Sequence, residues 1–185
     1  MSPKFVGVGG RAGSGKDPAA QVLAGILPGD SVIIPVATGL KNMLAAHYGV
    51  LPGSPQAHRL FYTGEGKKKP SPNPLKPGNT VRQDLIDLGD LTRSLNKDVW
   101  IDDTLRRGTL SGAEYVVVPD VRYTNEASRM DILLWMGGDE AGDHPTEAEL
   151  TSRHATGNLW FPQDTVAERL EALCRKQLDI LDYLT

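Results

Sequence analysis

A single cysteine in 185 residues excludes an internal disulfide framework and fits a reducing compartment. No apolar run reaches about ten residues, half of what a bilayer-spanning helix needs, so no membrane span is expected. The first ten residues lack the apolar stretch of a secretory signal, and a cytoplasmic protein is expected. Basic residues are not in excess. The net charge is −3, so a nucleic acid is not expected as the main partner. What is present is ordinary for a globular chain: 39% hydrophobic and 23% charged residues. The 20 glycines and 13 prolines imply long loops rather than global disorder. This length can close one hydrophobic core, so residues 1–185 are read as a single α/β or α-rich domain.

Lys4 to Gly9 reads as a strand. After a glycine-rich turn, Ala19, Ala20, Val22, Leu23, Ile26 and Leu27 recur at helical spacing until Pro28-Gly29-Asp30. Ser31 to Val36 reads as a second strand, apolar on both faces as in a parallel sheet. Thr38 is a candidate cap for a helix that stops at Gly49. From Leu51 to Asn79 periodicity dissolves into a proline- and glycine-rich stretch carrying Lys67-Lys68-Lys69, expected to be a mobile insertion or lid. Order returns with Thr80 as N-cap of a helix from Val81 to Leu95, then a helix from about Asp98 to Arg107 ended by Gly108. Further strands are expected at Tyr115–Val118, closed by Pro119-Asp120, at Ile132–Met136 and at Leu159–Phe161. Thr124 is expected to cap a short helix between them. Asp164 is expected to cap a last helix whose apolar stripe contains Cys174.

The most specific stretch is Gly10-Arg11-Ala12-Gly13-Ser14-Gly15-Lys16-Asp17. It matches G-x-x-x-x-G-K between a strand and a helix, the setting of a phosphate-binding loop. Three glycines let successive N–H groups turn inward on phosphate oxygens, and the following helix adds its positive end. Lys16 supplies a full charge for the β- and γ-phosphates. Two residues are unusual. Asp17 stands where a hydroxyl normally holds Mg²⁺, and its carboxylate is a candidate ligand for that ion. Pro18 has no N–H, which removes one phosphate donor, a loss of roughly 1.5–3 kcal/mol.

Lysine followed by aspartate makes this loop resemble that of bacteriophage-type deoxynucleoside monophosphate kinases, in which Gly-Lys-Asp-Thr is usual. Here Pro18 replaces the threonine. The resemblance runs along nearly the whole chain. Arg82 through Leu88-Gly89 and Arg93 loosely resembles the family's Arg-x-x-x-Gln-x-Leu-Gly helix, and Asn96-Lys97-Asp98-Val99-Trp100 its Asn-Pro-Asp-x-Trp segment. Asp120-Val121-Arg122-Tyr123-Thr124-Asn125-Glu126 is similar to its Asp-Val-Arg-Phe-x-Asn-Glu segment, and His144-Pro145-Thr146-Glu147 to its His-x-Ser/Thr-Glu turn. The resemblance implies a three-layer P-loop kinase fold with a mostly parallel five-stranded sheet and helical acceptor and lid insertions, the second near 137–153. It also implies transfer of the γ-phosphoryl of ATP, with Mg²⁺, to a deoxynucleoside monophosphate; a homodimer is a candidate assembly that the sequence leaves open.

On that reading Arg11, Ala12, Gly13, Ser14, Gly15, Lys16, Asp17 and Pro18 hold ATP, and Lys16, Asp120 and Arg122 are the candidate catalytic residues. Arg82, at a helix N-terminus, is placed for an anionic acceptor. Lys41, Arg93, Arg122 and Arg153 are further candidates for the acceptor. Trp100 either stacks on a base or belongs to the core. Asp120 either serves the site, at a strand's carboxyl end, or forms a plain ion pair with Arg122. Two other functions fit the same loop. One is a kinase acting on a hydroxymethylated base in DNA, and the other is a nucleotide-binding module without catalysis.

Overall fold

The computed structural model describes residues 2–10, 13–74, 76–136, 160–161, 168 and 170. Expectations placed on Arg11, Ala12, residues 137–153 with His144, Glu147 and Arg153, and the final helix with Cys174 lie outside the described residues. The chain is mixed α/β and divides into two compact units, Met1–Val36 with Thr104–Thr185, and Ala37–Asp103.

The first unit is built on four parallel strands in the order β2-β3-β1-β4: β1 (Lys4–Gly10), β2 (Ser31–Ile33), β3 (Tyr115–Val121) and β4 (Ile132–Met136). Trp160–Phe161 adds a two-residue parallel ladder to β4. Alternation along the strands decides what each face covers. Val6, Val8, Val117, Ile132, Leu134 and Met136 pack with Ala19, Ala20 and Leu23 of helix α1 (Lys16–Ile26). Phe5 and Val116, one position out of phase, meet Gly108 in helix α6 (Val99–Ser111). Helices therefore cover both faces, the arrangement of a three-layer α/β fold.

Gly108 is not a helix stop. A Cβ there would lie 2.7 Å from the Phe5 ring and 2.9 Å from Val116, so glycine permits close packing and α6 continues to Ser111. Strand β2 is shorter than expected, ending at Ile33, whereas β3 runs on through Pro119 and Asp120 to Val121. β2 pairs with β3 only as far as Val117, so Pro119 lies beyond that ladder and beside the irregularity in the β1 pairing, where a sheet tolerates a residue without an N–H.

The second unit is helical: α2 (Thr38–His47), α3 (Pro55–Phe61), α4 (Gly64–Lys68), α5 (Val81–Leu95) and the start of α6. Thr38 is the first residue of α2 rather than its cap, which is Ala37. Thr80 caps α5 by accepting the Gln83 N–H at 3.2 Å. The expected structureless insertion at 51–79 instead holds α3 and α4, each capped by a local hydroxyl. Ser54 accepts from Ala57 N–H at 3.2 Å, and Thr63 from Gly66 N–H at 2.9 Å. Ala57 and Phe61 join Leu44, Ala45, Val50 and Val81 in a separate core. These helices are too short for periodicity to reveal them.

Gly66 seats α4 on α3, because a Cβ would collide with the Arg59 carbonyl. Gly66→Ala is expected to cost about 2 kcal/mol or more, read by denaturant unfolding of the second unit. Among the described residues no helix is long and apolar enough to cross a membrane.

Candidate functional site

Strand order locates a crevice in the first unit. After β1 the chain crosses to β2 on one side of β3, whereas after β3 it crosses β1 to reach β4. Adjacent strands β1 and β3 thus send their connections in opposite directions, so their carboxyl ends form the switch point at which open α/β sheets generally carry a crevice. One rim is the glycine loop and the other is the segment around Asp120.

Glycine is required in this loop by its backbone angles. Gly10, Gly13 and Gly15 have φ of +141°, +76° and +91°, which side chains rarely adopt. A Cβ at Gly10 would also strike the Met136 carbonyl, so this glycine lets β1 close against the end of β4. Among the described residues nothing lies within 4 Å of a Cβ built at Gly13, the open side of the cradle. Gly15 is the N-cap of α1 and provides no side-chain acceptor, so the first-turn N–H groups receive no side-chain cap. Those of Lys16 and Asp17 remain suited to an anion, and Pro18 in the same turn has none.

Lys16 is 9% exposed. Its Nζ donates to the Gly10 carbonyl at 2.7 Å, folding the side chain back over the loop, and lies 3.7 Å from Asp120 Oδ1. Ser14 is buried, whereas Asp17 and Pro18 are exposed.

Asp120 is the structural anomaly of the opposite rim. The β1–β3 register slips between Val8 opposite Pro119 and Gly9 opposite Val121, so Asp120 is the extra residue of a β-bulge. Its φ is +66°, and among the described residues it is the one non-glycine in the left-handed region. This geometry re-aims its carboxylate, which accepts both Arg122 Nε at 3.0 Å and Arg122 Nη2 at 2.9 Å. The ion pair anticipated from sequence is therefore present, and Lys16 adjoins it.

Glu126 is not among the site residues expected from the sequence. Its carboxylate is 2% exposed and accepts the backbone N–H groups of Arg122 at 2.9 Å and Tyr123 at 3.3 Å. It caps the start of helix α7 (Thr124–Ala127) from within, where Thr124 had been expected to act, and fixes the chain that follows the bulge. An acid three residues past a helix start was the available signal. Formal charges balance here, Lys16 and Arg122 against Asp120 and Glu126, so what this rim presents is two held cations and their N–H donors rather than an excess of positive charge.

The remaining candidates belong to the second unit. Arg82 is exposed in the first turn of α5. Lys41 Nζ stands 3.7 Å from the centroid of the Tyr62 ring, a cation–π contact. Arg93 lies on α5 beside Gly89. Trp100 is 4% exposed, and its ring would meet a Cβ on Gly39 at 3.2 Å, so it packs in the interior of this unit.

No family model and no curated protein matches the chain.

Proposed function

We propose that the protein transfers the γ-phosphoryl of ATP to a deoxynucleoside monophosphate in the manner of a P-loop kinase. The observation that carries this reading is the buried Lys16 folded over a three-glycine loop, 3.7 Å from an Asp120–Arg122 pair at the crevice between β1 and β3. The glycine loop amides and Lys16 hold the triphosphate. Asp17 has the oxygen chemistry that Mg²⁺ prefers and is exposed at the same helix start, so it is the candidate ligand. Bound there, the ion would neutralise charge on the β- and γ-oxygens.

In the transfer, the bond from Pγ to the β,γ-bridging oxygen breaks as an acceptor phosphate oxygen bonds to Pγ, releasing ADP. The acceptor oxygen is already anionic, so no general base is needed. Lys16 and Arg122 stabilise charge on the moving phosphoryl. Asp120 and Glu126 act by holding Arg122 in place.

ADP release from Mg-ATP is the direct test, run against the four common deoxynucleoside monophosphates with a no-acceptor control. Acceptor-dependent ADP supports the reading and names the base. Silence with ATP still bound would favour another acceptor or a binding module. Arg82→Ala is expected to raise the KM for the monophosphate about tenfold or more with little change in that for ATP. Equal effects on both would remove Arg82 from the acceptor site.

A further inference from the structure

The negative net charge of the chain hides a strongly basic segment. Residues 38–82 contain seven lysines and arginines and a single acid, Glu65. The phosphotransfer chemistry leaves most of this charge unexplained, and the corner between α3 and α4 gathers it. Arg59 is in the last turn of α3, and Lys67 and Lys68 are in the last turn of α4, with Lys69 following. Gly66 holds the two helices in contact on the Arg59 backbone, so this gathering is a property of the fold. Of the three acids on α5, the helix that packs on α3 and α4, Asp84 and Asp87 have partners of their own, and Asp90 is exposed. Asp84 is bonded to Tyr48, Ser71 and Asn79, and Asp87 to Lys76 and Gln83.

The same corner carries aromatic rings. His58 and Tyr62, one turn apart, lie parallel within 4° with centroids 5.3 Å apart, and Lys41 adjoins the Tyr62 ring. Both rings are exposed, Tyr62 by 41%. Aromatic residues of this kind usually turn inward, as Phe61 does at 0%. Cations beside an exposed parallel ring pair match a ligand with regularly spaced anions and flat apolar groups. An acidic peptide would use the charges but not the rings.

We propose that the α3–α4 corner binds single-stranded nucleic acid, the cations tracking phosphates and a base extending the His58–Tyr62 stack. Binding here calls for no phosphoryl transfer, and it stands or falls without ATP.

The test is fluorescence anisotropy of the full chain with a labelled oligothymidylate of about 15 nucleotides, titrated at several salt concentrations without nucleotide. Saturable binding at low salt is expected, with log K falling against log salt at a slope of about −3, as four phosphate contacts would give. Lys67→Glu with Lys68→Glu should weaken binding at least about tenfold and flatten the slope by about 1.5. Tyr62→Ala should weaken it roughly fivefold with the slope unchanged, and Tyr62→Phe should restore it. Lys97→Glu, outside the segment, should have no effect. Absence of binding at low salt, or indifference to the double charge reversal in a variant with unchanged circular dichroism, would overturn the proposal. So would full displacement of the oligomer by thymidine monophosphate at acceptor concentrations, which would make the corner a mononucleotide site.

Discussion

Lys16→Ala is expected to lower acceptor-dependent ADP formation by about a thousandfold, or roughly 4 kcal/mol of transition-state stabilisation, and to leave the fold intact. The ammonium is nearly buried at the loop, where a phosphate charge would meet it in a medium less polarisable than water. Removing a buried charge often unfolds a protein because its partner is left alone. Here Asp120 keeps both bonds from Arg122, so it is not left unpaired when Lys16 and its bond to the Gly10 carbonyl are removed. Circular dichroism and thermal unfolding close to the parent, together with lost turnover, are the expected pair of results. Normal turnover in this variant would end the phosphate-loop reading.

Asp84→Ala should have the largest effect on stability, about 3 kcal/mol in the second unit. Asp84 is 4% exposed on α5 and accepts bonds from Tyr48 Oη at 2.7 Å, Asn79 Nδ2 at 2.8 Å and Ser71 Oγ. Through these bonds one carboxylate joins α2, α5 and the loop that ends at the Pro70–Thr80 bridge. Alanine removes the acceptor and leaves the three donors only their longer contacts, Tyr48 with Ser71 at 3.2 Å and Asn79 with Asp87 at 3.4 Å. Denaturant unfolding followed by circular dichroism would read the loss, and limited proteolysis near 69–80 would localise it. Asp84→Asn turns a donor toward donors and is expected to be nearly as damaging.

The pH dependence follows from the same cluster. Burial alone would raise the Asp84 pKa, but the bonds from Ser71, Asn79 and Tyr48 and the charge of Lys76 outweigh it and hold the carboxyl below its usual value. Asp87 is lowered too, chiefly by its bond from Lys76. The folded state therefore binds these protons less readily than the unfolded state. Their contribution is present above the ordinary carboxylate pKa of about 4 and is lost as pH falls through the depressed values. Burial and Asp84 push the Tyr48 phenol up to about 12 against the opposing bond with Ser71. That contribution is complete below the ordinary tyrosine value of about 10 and is lost as pH rises through the folded one. Asp84→Ala should flatten the acid limb of a stability–pH profile.

The chain's own order determined a great deal. The glycine loop, its lysine, the strand before it and the helix after it depend on neighbours within a few residues, where backbone sterics and capping act. The same is true of Thr80 and the helix from Val81 to Leu95. Other features arise from residues that meet only after folding. Asp120 takes a left-handed backbone because β3 must slip one residue against β1, a property of the pairing and not of the tetrapeptide Pro119-Asp120-Val121-Arg122. Gly108 looks like a helix stop until Phe5, more than a hundred residues earlier in the chain, is found against it. The segment from 51 to 79 looks structureless because its order rests on two short capped helices and on Asp84, whose partners Tyr48, Ser71 and Asn79 follow no period. Periodicity reports which face of an element is buried. Which distant groups neutralise a buried charge, and where a strand must slip to bring a carboxylate to a lysine, are settled by packing between elements.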